Sequence, residues 1–281
     1  MVPSGRNAQA AISHPHPEGC GLLAAGYKCI AAKSMIYKHT SFGWVPDVPD
    51  QRDFLYKAIR PVMRLPKAID LTKFCSSVED QGELGSCTAQ ALAGNLEFLD
   101  YKIDFVYEDV SRLFIYYNER VLDKTVDFDS GASLRNGIKT LVKTGYCQEA
   151  IWPYLIEFFA KKPPKLCYKE AKSHCIQSYH RLLTLPEMLT CLAEGYPFVF
   201  GFAVYESFQT QQVAKTGLVR MPLKDERMLG GHAVLAVGYD QEKKRFLVRN
   251  SWGAKWGKKG YFTMPYEYLA TLAADFWTIR K

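Results

Sequence analysis

The sequence lacks a hydrophobic run long enough to cross a membrane, because its longest uncharged apolar stretch, 196–205, is about half of the ~20 residues a spanning helix needs. It also lacks a dense basic stripe: the net charge of +7 comes from 36 Lys and Arg against 29 Asp and Glu, scattered along the chain. Nucleic-acid binding is therefore not expected. No repeat or low-complexity tract is present, and a hydrophobic content of 48% excludes a disordered chain. What remains is a globular protein of one large domain or two lobes.

The first 64 residues differ from the rest of the chain. Prolines recur in this segment, and it shows little helical periodicity apart from a short helix predicted over 53–59. We therefore expect an extended, turn-rich arm. Two apolar groups, Phe42-Gly-Trp44-Val45 and Phe54-Leu-Tyr56, are anchors that a disordered tail does not need. The arm, residues 1–64, is predicted to pack on the body of the protein.

Three stretches in the middle of the chain carry apolar residues at the spacing of one helix face. They span 89–99, 110–121 and 134–142. This spacing predicts three consecutive helices. Ser133 is placed to cap the start of the third helix, and Gly145 is placed to end it.

The second half of the chain favours strands. Five short segments are rich in aromatic and β-branched residues and are separated by Gly or Pro: 198–204, 233–239, 246–250, 261–264 and 276–279. Helices followed by strands indicate an α+β protein of two lobes, and a cleft between lobes is a common ligand site. We expect the arm to be followed by a mainly helical lobe, 65–175, and a mainly β lobe, 176–281.

Cys87 is predicted to lie at the N-terminus of a helix. It ends the segment Gln81-Gly-Glu-Leu-Gly-Ser-Cys87, immediately before the first predicted helix. Exposed backbone N–H groups and the helix macrodipole favour a thiolate at such a position. A lone cysteine is more often an inert buried residue. Cys87 therefore needs partners before it indicates catalysis.

His232 and Asn250 are the candidate partners. His232 lies at the start of a predicted strand, 145 residues after Cys87, and Asn250 follows 18 residues later in Val248-Arg-Asn-Ser-Trp-Gly253. A thiol nucleophile needs a base within hydrogen-bond reach, and the base needs a third group to hold its ring. A core histidine and a turn are the structural alternatives for each residue alone. Their order and spacing together match the papain pattern, in which His and Asn lie about 130–150 residues after the Cys.

With these residues the sequence resembles the papain family of cysteine peptidases, in particular the bacterial branch that includes xylellain. The resemblance covers 65–281. Asn250-Ser-Trp-Gly-Ala-Lys-Trp256-Gly-Lys-Lys-Gly-Tyr261 is similar to the family's second signature, and Leu65-Pro-Lys-Ala-Ile-Asp70 resembles a mature amino terminus. The resemblance implies a papain-like two-lobe fold, with a helical left lobe, an antiparallel β-barrel-like right lobe and the active site in the cleft between them.

The resemblance also implies a role for each of these residues. Cys87 would be the nucleophile, and His232 would be the general base and then the acid that protonates the leaving amine. Asn250 would orient the imidazole, shielded from water by Trp252. Gln81 would form the oxyanion hole with the backbone N–H of Cys87. A simple turn residue is the structural alternative for Gln81.

No cofactor or metal is expected. The papain reaction requires none, and the spacing of His14, His16 and Cys20 fits no standard zinc template. A signal peptide is not evident either, because the apolar stretch after Cys20 is short and interrupted by Lys28. We expect polypeptide substrates and a monomer, and the localisation stays open.

The sequence departs from the papain pattern at one disulfide. Leu84 stands where the family has a cysteine three residues before the nucleophile, and the partner segment corresponds to Asp129-Ser-Gly-Ala132. Besides Cys87 seven cysteines remain, an odd number, so at least one thiol lacks an intramolecular partner. This argues against a disulfide-stapled secreted enzyme. Pairs remain open among Cys20, Cys29, Cys75, Cys147, Cys167, Cys175 and Cys191.

The resemblance extends to the substrate contacts. The residues expected to border the substrate are Ser130, Gly131, Ala132, Gly201, Gly230, Gly231, Ala233 and Trp252. Positions 130–132 would pair with the peptide backbone, while Gly201, Gly230 and Ala233 align with the subsite for the residue two positions before the cut. Because these residues are small, the subsite is roomy, which favours bulky or hydrophobic substrate side chains there. No His-rich insertion like the occluding loop of cathepsin B is present, which favours endopeptidase activity.

The leading hypothesis is thus a thiol endopeptidase whose arm lies against or across the cleft and limits access. An arm that is a permanent strap remote from the site is the alternative for this segment. A papain-fold binding protein without turnover is less favoured, because such proteins usually lose the Cys or the His. A papain-like acyltransferase or isopeptidase would share the acyl-enzyme chemistry and differ in the acceptor.

Overall fold

The computed structural model describes residues 41–56 and 64–281. Within these residues the structure has seven strands and seven α-helices. In order they are β1 (Ala68–Asp70), α1 (Cys87–Asp104), α2 (Arg112–Asp123), α3 (Leu134–Lys143), α4 (Lys165–Ala171), β2 (Ser178–Arg181), α5 (Leu185–Ala193), β3 (Phe198–Tyr205), α6 (Gln211–Thr216), β4 (Met228–Asp240), β5 (Arg245–Arg249), β6 (Tyr261–Pro265), α7 (Tyr266–Leu272) and β7 (Ala273–Arg280).

The three helices predicted from apolar spacing are α1, α2 and α3. The Ser133 hydroxyl accepts a hydrogen bond from the Asn136 N–H at 3.3 Å, which confirms the predicted cap of α3. Gly145 lies just beyond the end of α3 and adopts φ +81°, a conformation that favours glycine. By contrast, α1 begins at Cys87 with no side-chain cap from Ser86. The first N–H groups of α1 therefore point into the site without a competing capping oxygen.

The strands form a single open antiparallel sheet. Its order is β2-β7-β3-β4-β5-β6, and the short strand β1 pairs with β4 off this path. The expected α+β class is confirmed, whereas the β-barrel-like lobe is an unclosed sheet in the described part of the chain. The strands β1 and β2 were not predicted, because they are only 3 and 4 residues long and carry no clear alternation.

Strand β4 begins earlier than its apolar pattern suggested. It starts at Met228 rather than at 233, because the glycine pair Gly230 and Gly231 continues the ladder with β3. His232 therefore lies inside the strand, opposite Phe202, and not at its start. The helix predicted over 53–59 is wrong for residues 53–56, which are extended or bent; its remainder lies outside the described residues.

Helix α1 is the central support of the site. It contacts α2 and α3 on one side and β4 on the other, and its residues from Cys87 to Asp100 are all buried. Leu92, Leu96 and Phe98 are completely inaccessible to solvent. Because a helix enclosed on several sides cannot shift without opening the core, the position of Cys87 is set by packing.

A carboxylate ties the two segments that the papain pattern would join by a disulfide. Leu84 is buried, and the neighbouring Gly85 N–H donates to both Asp129 carboxylate oxygens, at 3.1 and 3.0 Å. The Tyr116 hydroxyl donates to Asp129 at 2.5 Å and accepts from the Gly131 N–H at 3.1 Å. This chain of hydrogen bonds holds the loop before Cys87 against the loop at 129–132.

The described cysteines are all free thiols: Cys75, Cys87, Cys147, Cys167, Cys175 and Cys191. The pairs left open by the sequence therefore do not form among them. Cys20 and Cys29 lie outside the described residues. Noncovalent contacts such as those of Asp129 hold the described part of the chain together.

We expect Asp129→Ala to destabilise the protein by about 1–3 kcal/mol, because it leaves the Gly85 N–H and the Tyr116 hydroxyl without their acceptor. Urea unfolding followed by tryptophan fluorescence measures the change. Asp127→Ala is the matched control: both carboxylates are exposed, but Asp127 does not accept the hydrogen bonds from Gly85 and Tyr116, so its removal should change the free energy of unfolding by less than about 0.5 kcal/mol. Equal unfolding free energies for the two variants would contradict the role of Asp129.

Candidate active site

Cys87 is the first residue of α1, and its side chain is fully buried. Three backbone N–H groups lie within hydrogen-bond reach of its sulfur, from Thr88 in α1, Ala233 in β4 and Gly43 in the arm. The sulfur thus sits where the helix, the sheet and the arm meet. The arm supplies one of its three donors.

The thiol of Cys87 is protonated at neutral pH in this arrangement. Burial raises its pKa to about 11, and the three N–H donors oppose that rise without overcoming it. An ionised Glu119 raises the pKa of Cys87 further, but burial raises the pKa of Glu119 itself to about 8, so this carboxyl is mostly neutral at pH 7 and burial of the thiol is the main cause. The thiolate expected from the helix terminus is therefore not favoured while the site is closed, because desolvation outweighs the helix dipole.

His232 and Asn250 are brought together by adjacent strands. Strand β4 carries His232, and Asn250 directly follows β5, which pairs with β4. The His232 Nε2 lies 2.8 Å from the Asn250 Oδ1. The indole of Trp252 lies over the imidazole, with ring centroids 4.9 Å apart and an interplanar angle of 31°. Both His232 and Asn250 are buried, so this pair is held away from water.

Gln81 is fully buried beside the nucleophile loop. Its Oε1 accepts from the Ser251 hydroxyl at 2.7 Å, and its Nε2 donates to the carbonyls of Leu84 at 3.0 Å and Ser41 at 3.4 Å. The Gln81 backbone N–H also donates to the Ser251 carbonyl at 2.9 Å. Ser251 therefore sets which way the Gln81 amide faces, with its N–H₂ group toward the cleft that the arm enters.

Arg249 is a site residue that the sequence reasoning missed. Its guanidinium donates to the carbonyls of Ser76 at 2.5 Å and Ser77 at 2.6 Å, and it lies 4.0 Å from the buried Glu97 carboxylate. Gly94 in α1 makes room for it, since a Cβ there would lie 3.1 Å from the Arg249 Nε. Arg249 thereby joins the chain before Gln81, the helix of Cys87 and the strand before Asn250. The sequence feature that could have pointed to Arg249 is its position directly before Asn250.

Residues 42–45 of the arm run through the cleft beside Cys87. The Trp44 N–H donates to the Gly231 carbonyl at 3.0 Å, and the Val45 N–H donates to the Ala132 carbonyl at 2.9 Å. In return the Ala132 N–H donates to the Gly43 carbonyl at 2.7 Å. Trp44 and Ala132 form a parallel bridge. The arm thus pairs with both walls of the cleft by main-chain hydrogen bonds.

Two aromatic side chains of the arm fill the cleft on either side of Gly43. The Phe42 ring lies 6.4 Å from the His232 ring and packs on Gly230. The Trp44 indole lies flat on Gly201 and Gly231, and a Cβ at either position would overlap it. Gly201 and Gly231 therefore form one pocket. Gly230, predicted for the same subsite as Gly201, lies under Phe42 instead.

The other predicted substrate contacts lie around the arm backbone. The Ala233 N–H faces the Cys87 sulfur. Gly131 adopts φ +71°, and a Cβ there would overlap the Gly43 carbonyl, so this position requires glycine. Ser130 donates to the Thr125 hydroxyl at 2.7 Å and lines a cavity of about 820 Å³ between the arm and α3. The cleft residues predicted from the sequence are thus all within or beside the path of the arm.

The described part of the chain contains no group of three or more His, Cys, Asp or Glu side chains that could hold a metal ion. His14, His16 and Cys20 lie outside it. None of the described helices is both long and apolar enough to span a membrane.

Comparison with known proteins identifies the family. Residues 65–271 match the model of the papain family cysteine protease. An uncharacterized peptidase C1-like protein of Acanthamoeba polyphaga mimivirus is 43% identical over 271 residues, which cover 86% of this chain and 87% of the viral protein. The crystal structure of xylellain, a cysteine protease from Xylella fastidiosa, is 43% identical and superposes with a TM-score of 0.80 over 87% of this chain and 97% of xylellain.

More distant structures share the fold. The procathepsin B S9 of Trypanosoma congolense is 18% identical, with a TM-score of 0.68 over 86% of this chain and 87% of its own. This likeness extends the agreement in fold beyond the range of close sequence similarity. The family match covers most of the chain and includes the segments that carry Cys87, His232 and Asn250. The chain belongs to the papain family of cysteine proteases and is a cysteine endopeptidase.

Proposed function

We propose that this endopeptidase uses Cys87, His232, Asn250 and Gln81 and that it is latent while its arm occupies the cleft. The observation that carries the proposal is that adjacent residues of the arm contact both the Cys87 sulfur and the His232 ring. The Gly43 N–H reaches the sulfur, and Phe42 packs near the His232 ring. The arm therefore stands where a peptide substrate must lie.

In the open enzyme the reaction starts at the His232 ring. Because Nε2 faces the Asn250 Oδ1, Nδ1 is the nitrogen that takes the Cys87 proton, and the sulfur then attacks the substrate carbonyl carbon. The carbonyl oxygen receives hydrogen bonds from the Gln81 Nε2 and the Cys87 N–H. The imidazolium returns its proton to the leaving amine, and water hydrolyses the thioester. Removal of the arm lets water reach the sulfur, which lowers the desolvation cost of the thiolate.

The polarity of the arm explains how it can occupy the cleft without being cut. If the Gly201 pocket takes a side chain on the amino-terminal side of the cut, a substrate runs from that pocket towards Cys87. The arm runs the other way, from Gly43 at Cys87 to Trp44 in the pocket. The Gly43 carbonyl consequently bonds to the Ala132 N–H and is not presented to Gln81. A bound peptide of reversed polarity lacks a correctly placed scissile bond.

The pocket under Trp44 indicates the substrate preference. Its walls are Gly201 and Gly231, and at its far end the Asp275 carboxylate accepts a hydrogen bond from the Trp44 Nε1 at 3.2 Å. Glycine walls leave room for a flat, bulky ring. We infer that the open enzyme prefers peptides with a large aromatic side chain at this subsite.

Trp44→Ala should open the cleft, because it empties the pocket and removes the largest side-chain contact of the arm with β3 and β4. Trp44 is partly buried. We expect turnover of a fluorogenic peptide and the iodoacetamide labelling rate of Cys87 each to rise at least about tenfold, because loss of even part of the roughly 3–5 kcal/mol typical of a fully buried Trp side chain is enough for that change. Val48→Ala, at an arm residue that is 79% exposed, is the matched control and should change neither rate. Unchanged rates in a folded Trp44→Ala variant would identify the arm as a structural strap.

The catalytic assignment can be tested in the Trp44→Ala background. Cys87→Ala should abolish turnover, His232→Ala should reduce it by about 10³–10⁶, and Asn250→Ala should leave partial activity, because these groups act as one unit. Peptide products are separated by mass spectrometry with and without an added amine acceptor. Free carboxylate products support hydrolysis, and transfer to the amine in preference to water would favour the acyltransferase alternative. Measurable turnover without Cys87 would exclude covalent thiol catalysis.

A further inference from the structure

A charge cluster fastens the arm beyond the pocket of Trp44. The arm contributes Asp47 and Asp53, α3 contributes Arg135, β2 contributes Arg181 and β7 contributes Asp275. The Asp53 carboxylate binds the Arg135 guanidinium at 2.6 Å and the Arg181 guanidinium at 2.7 Å, and Asp275 lies 3.2 Å from Arg181. These ion pairs connect the arm to a helix and to two strands.

Asp47 and Asp275 lie close together beyond the pocket of Trp44. One Asp275 oxygen accepts from the Asp47 N–H at 2.7 Å, as well as from the Trp44 indole. Asp47 in turn accepts from the Arg135 N–H at 3.0 Å and from the Trp277 indole at 2.9 Å. Asp47 is 8% exposed and Asp275 is 2% exposed. Solvent therefore offers these carboxylates little screening.

The cluster is not electrically balanced when all its groups are ionised. It holds three carboxylates, Asp47, Asp53 and Asp275, against the two guanidiniums of Arg135 and Arg181. These groups face one another in the described part of the chain. The neighbouring Asp50–Arg52 pair of the arm interacts with Arg135 and Asp53 but adds one charge of each sign, and His180, next to Arg181 in sequence, has its pKa lowered by burial and by Arg280. An excess buried charge is costly, and a bound proton removes it.

The proton has a preferred place in this cluster. Burial, followed by the negative charge of Asp47, raises the pKa of Asp275 to about 6. Asp275 has φ +58° and so adopts a left-handed conformation that asparagine also tolerates. An Asp275→Asn variant therefore mimics the protonated carboxyl without adding backbone strain.

We propose that docking of the arm takes up one proton at the Asp47–Asp275 pair, so that acidic pH closes the cleft and rising pH loosens it. This inference rests on the proposed function, in which the docked arm blocks Cys87. It adds a proton-linked control of the same site. The geometry that supports it is the placement of two of the three carboxylates on the segment that must leave.

The direction of the effect follows from what the arm removes. When the arm leaves, Asp275 stays beside Arg181 with greater access to water, so the burial that raises its pKa most is relieved, together with the charge of Asp47. The arm also takes away the Asp47 N–H and the Trp44 indole, two donors that lower the pKa of Asp275, but each of them has a smaller effect than burial or the Asp47 charge. The pKa of Asp275 therefore falls towards its ordinary value, and the docked state binds the proton more tightly than the open state. With a docked pKa of about 6, docking should be about tenfold stronger at pH 5 than at pH 7.5.

Iodoacetamide labelling of Cys87 in the full chain measures the open fraction, because the docked arm covers the sulfur. The rate for the wild type is divided by the rate for Asp275→Asn at each pH, so that the intrinsic pH dependence of the thiol cancels. We expect this ratio to rise about tenfold from pH 5 to pH 7.5. Asp47→Asn balances the cluster at two charges of each sign, and dividing by its rate should give the same rise.

A control within the arm separates this cluster from other carboxylates. Asp50 pairs with Arg52 at 2.7 Å on the surface, and this pairing lowers its pKa. Because Asp50 stays ionised above pH 5, an Asp50→Asn variant should keep the wild-type pH dependence. The ratio of its Cys87 labelling rate to that of the wild type should not change with pH.

The outcomes distinguish this inference from the proposed function. If the labelling rate of the wild type divided by that of Asp275→Asn, and by that of Asp47→Asn, does not change with pH, proton-linked docking is overturned. The blocking role of the arm still stands in that case, provided that Trp44→Ala accelerates labelling. Rapid labelling of the wild type at every pH, unchanged by Trp44→Ala, overturns the blocking arm itself. A ratio that falls with rising pH contradicts the inferred sign.

Discussion

The contact between the Gly43 backbone and the Cys87 sulfur is the interaction on which the proposed latency depends. With the arm in place, the sulfur is buried among three N–H donors, and its pKa is raised to about 11 because desolvation exceeds what those donors return. The path of Gly43 also requires glycine at position 131, because a Cβ there would overlap the Gly43 carbonyl. The raised pKa of the closed thiol and the shape of the cleft thus both depend on where Gly43 lies.

The site is held together from outside by residues that do not touch the sulfur. Arg249 joins the segments that carry Gln81, Cys87 and Asn250, and Ser251 orients the Gln81 amide. Asp129 holds the loop before Cys87 by hydrogen bonds at the place where the papain pattern has a disulfide. In the described part of the chain, packing and hydrogen bonds therefore hold the proposed catalytic groups in place.

Local patterns in the sequence predicted much of the fold and the site. Apolar spacing gave α1, α2 and α3, and the order of Cys87, His232 and Asn250 pointed to the residues that the structure brings near one another. The start of β4 was placed too late because Gly230 and Gly231 carry no strand signal, although both pair with β3. Glycine is found at these two positions because a side chain there would overlap the Phe42 and Trp44 rings of the arm.

Other features depend on contacts between residues far apart in the chain. The arm was expected on or near the cleft. Its chain direction and the position of Trp44, however, follow from pairing with residues about 90 to 190 positions away. Periodicity does not report such pairings. The protonated state of Cys87 and the charge count around Asp275 likewise require the burial of each group to be known.

Hydrogen exchange measured by mass spectrometry tests the central claim, that the arm and a substrate compete for one cleft, most directly. In the full chain, the amides of residues 43–45 and 131–133 should be protected together, since Trp44, Val45 and Ala132 donate to carbonyls across the cleft. A peptidyl epoxide bound to Cys87 should abolish protection of 43–45 while 131–133 stays protected by the inhibitor. Full protection of 43–45 in the inhibited enzyme, or none in the free enzyme, would contradict the account.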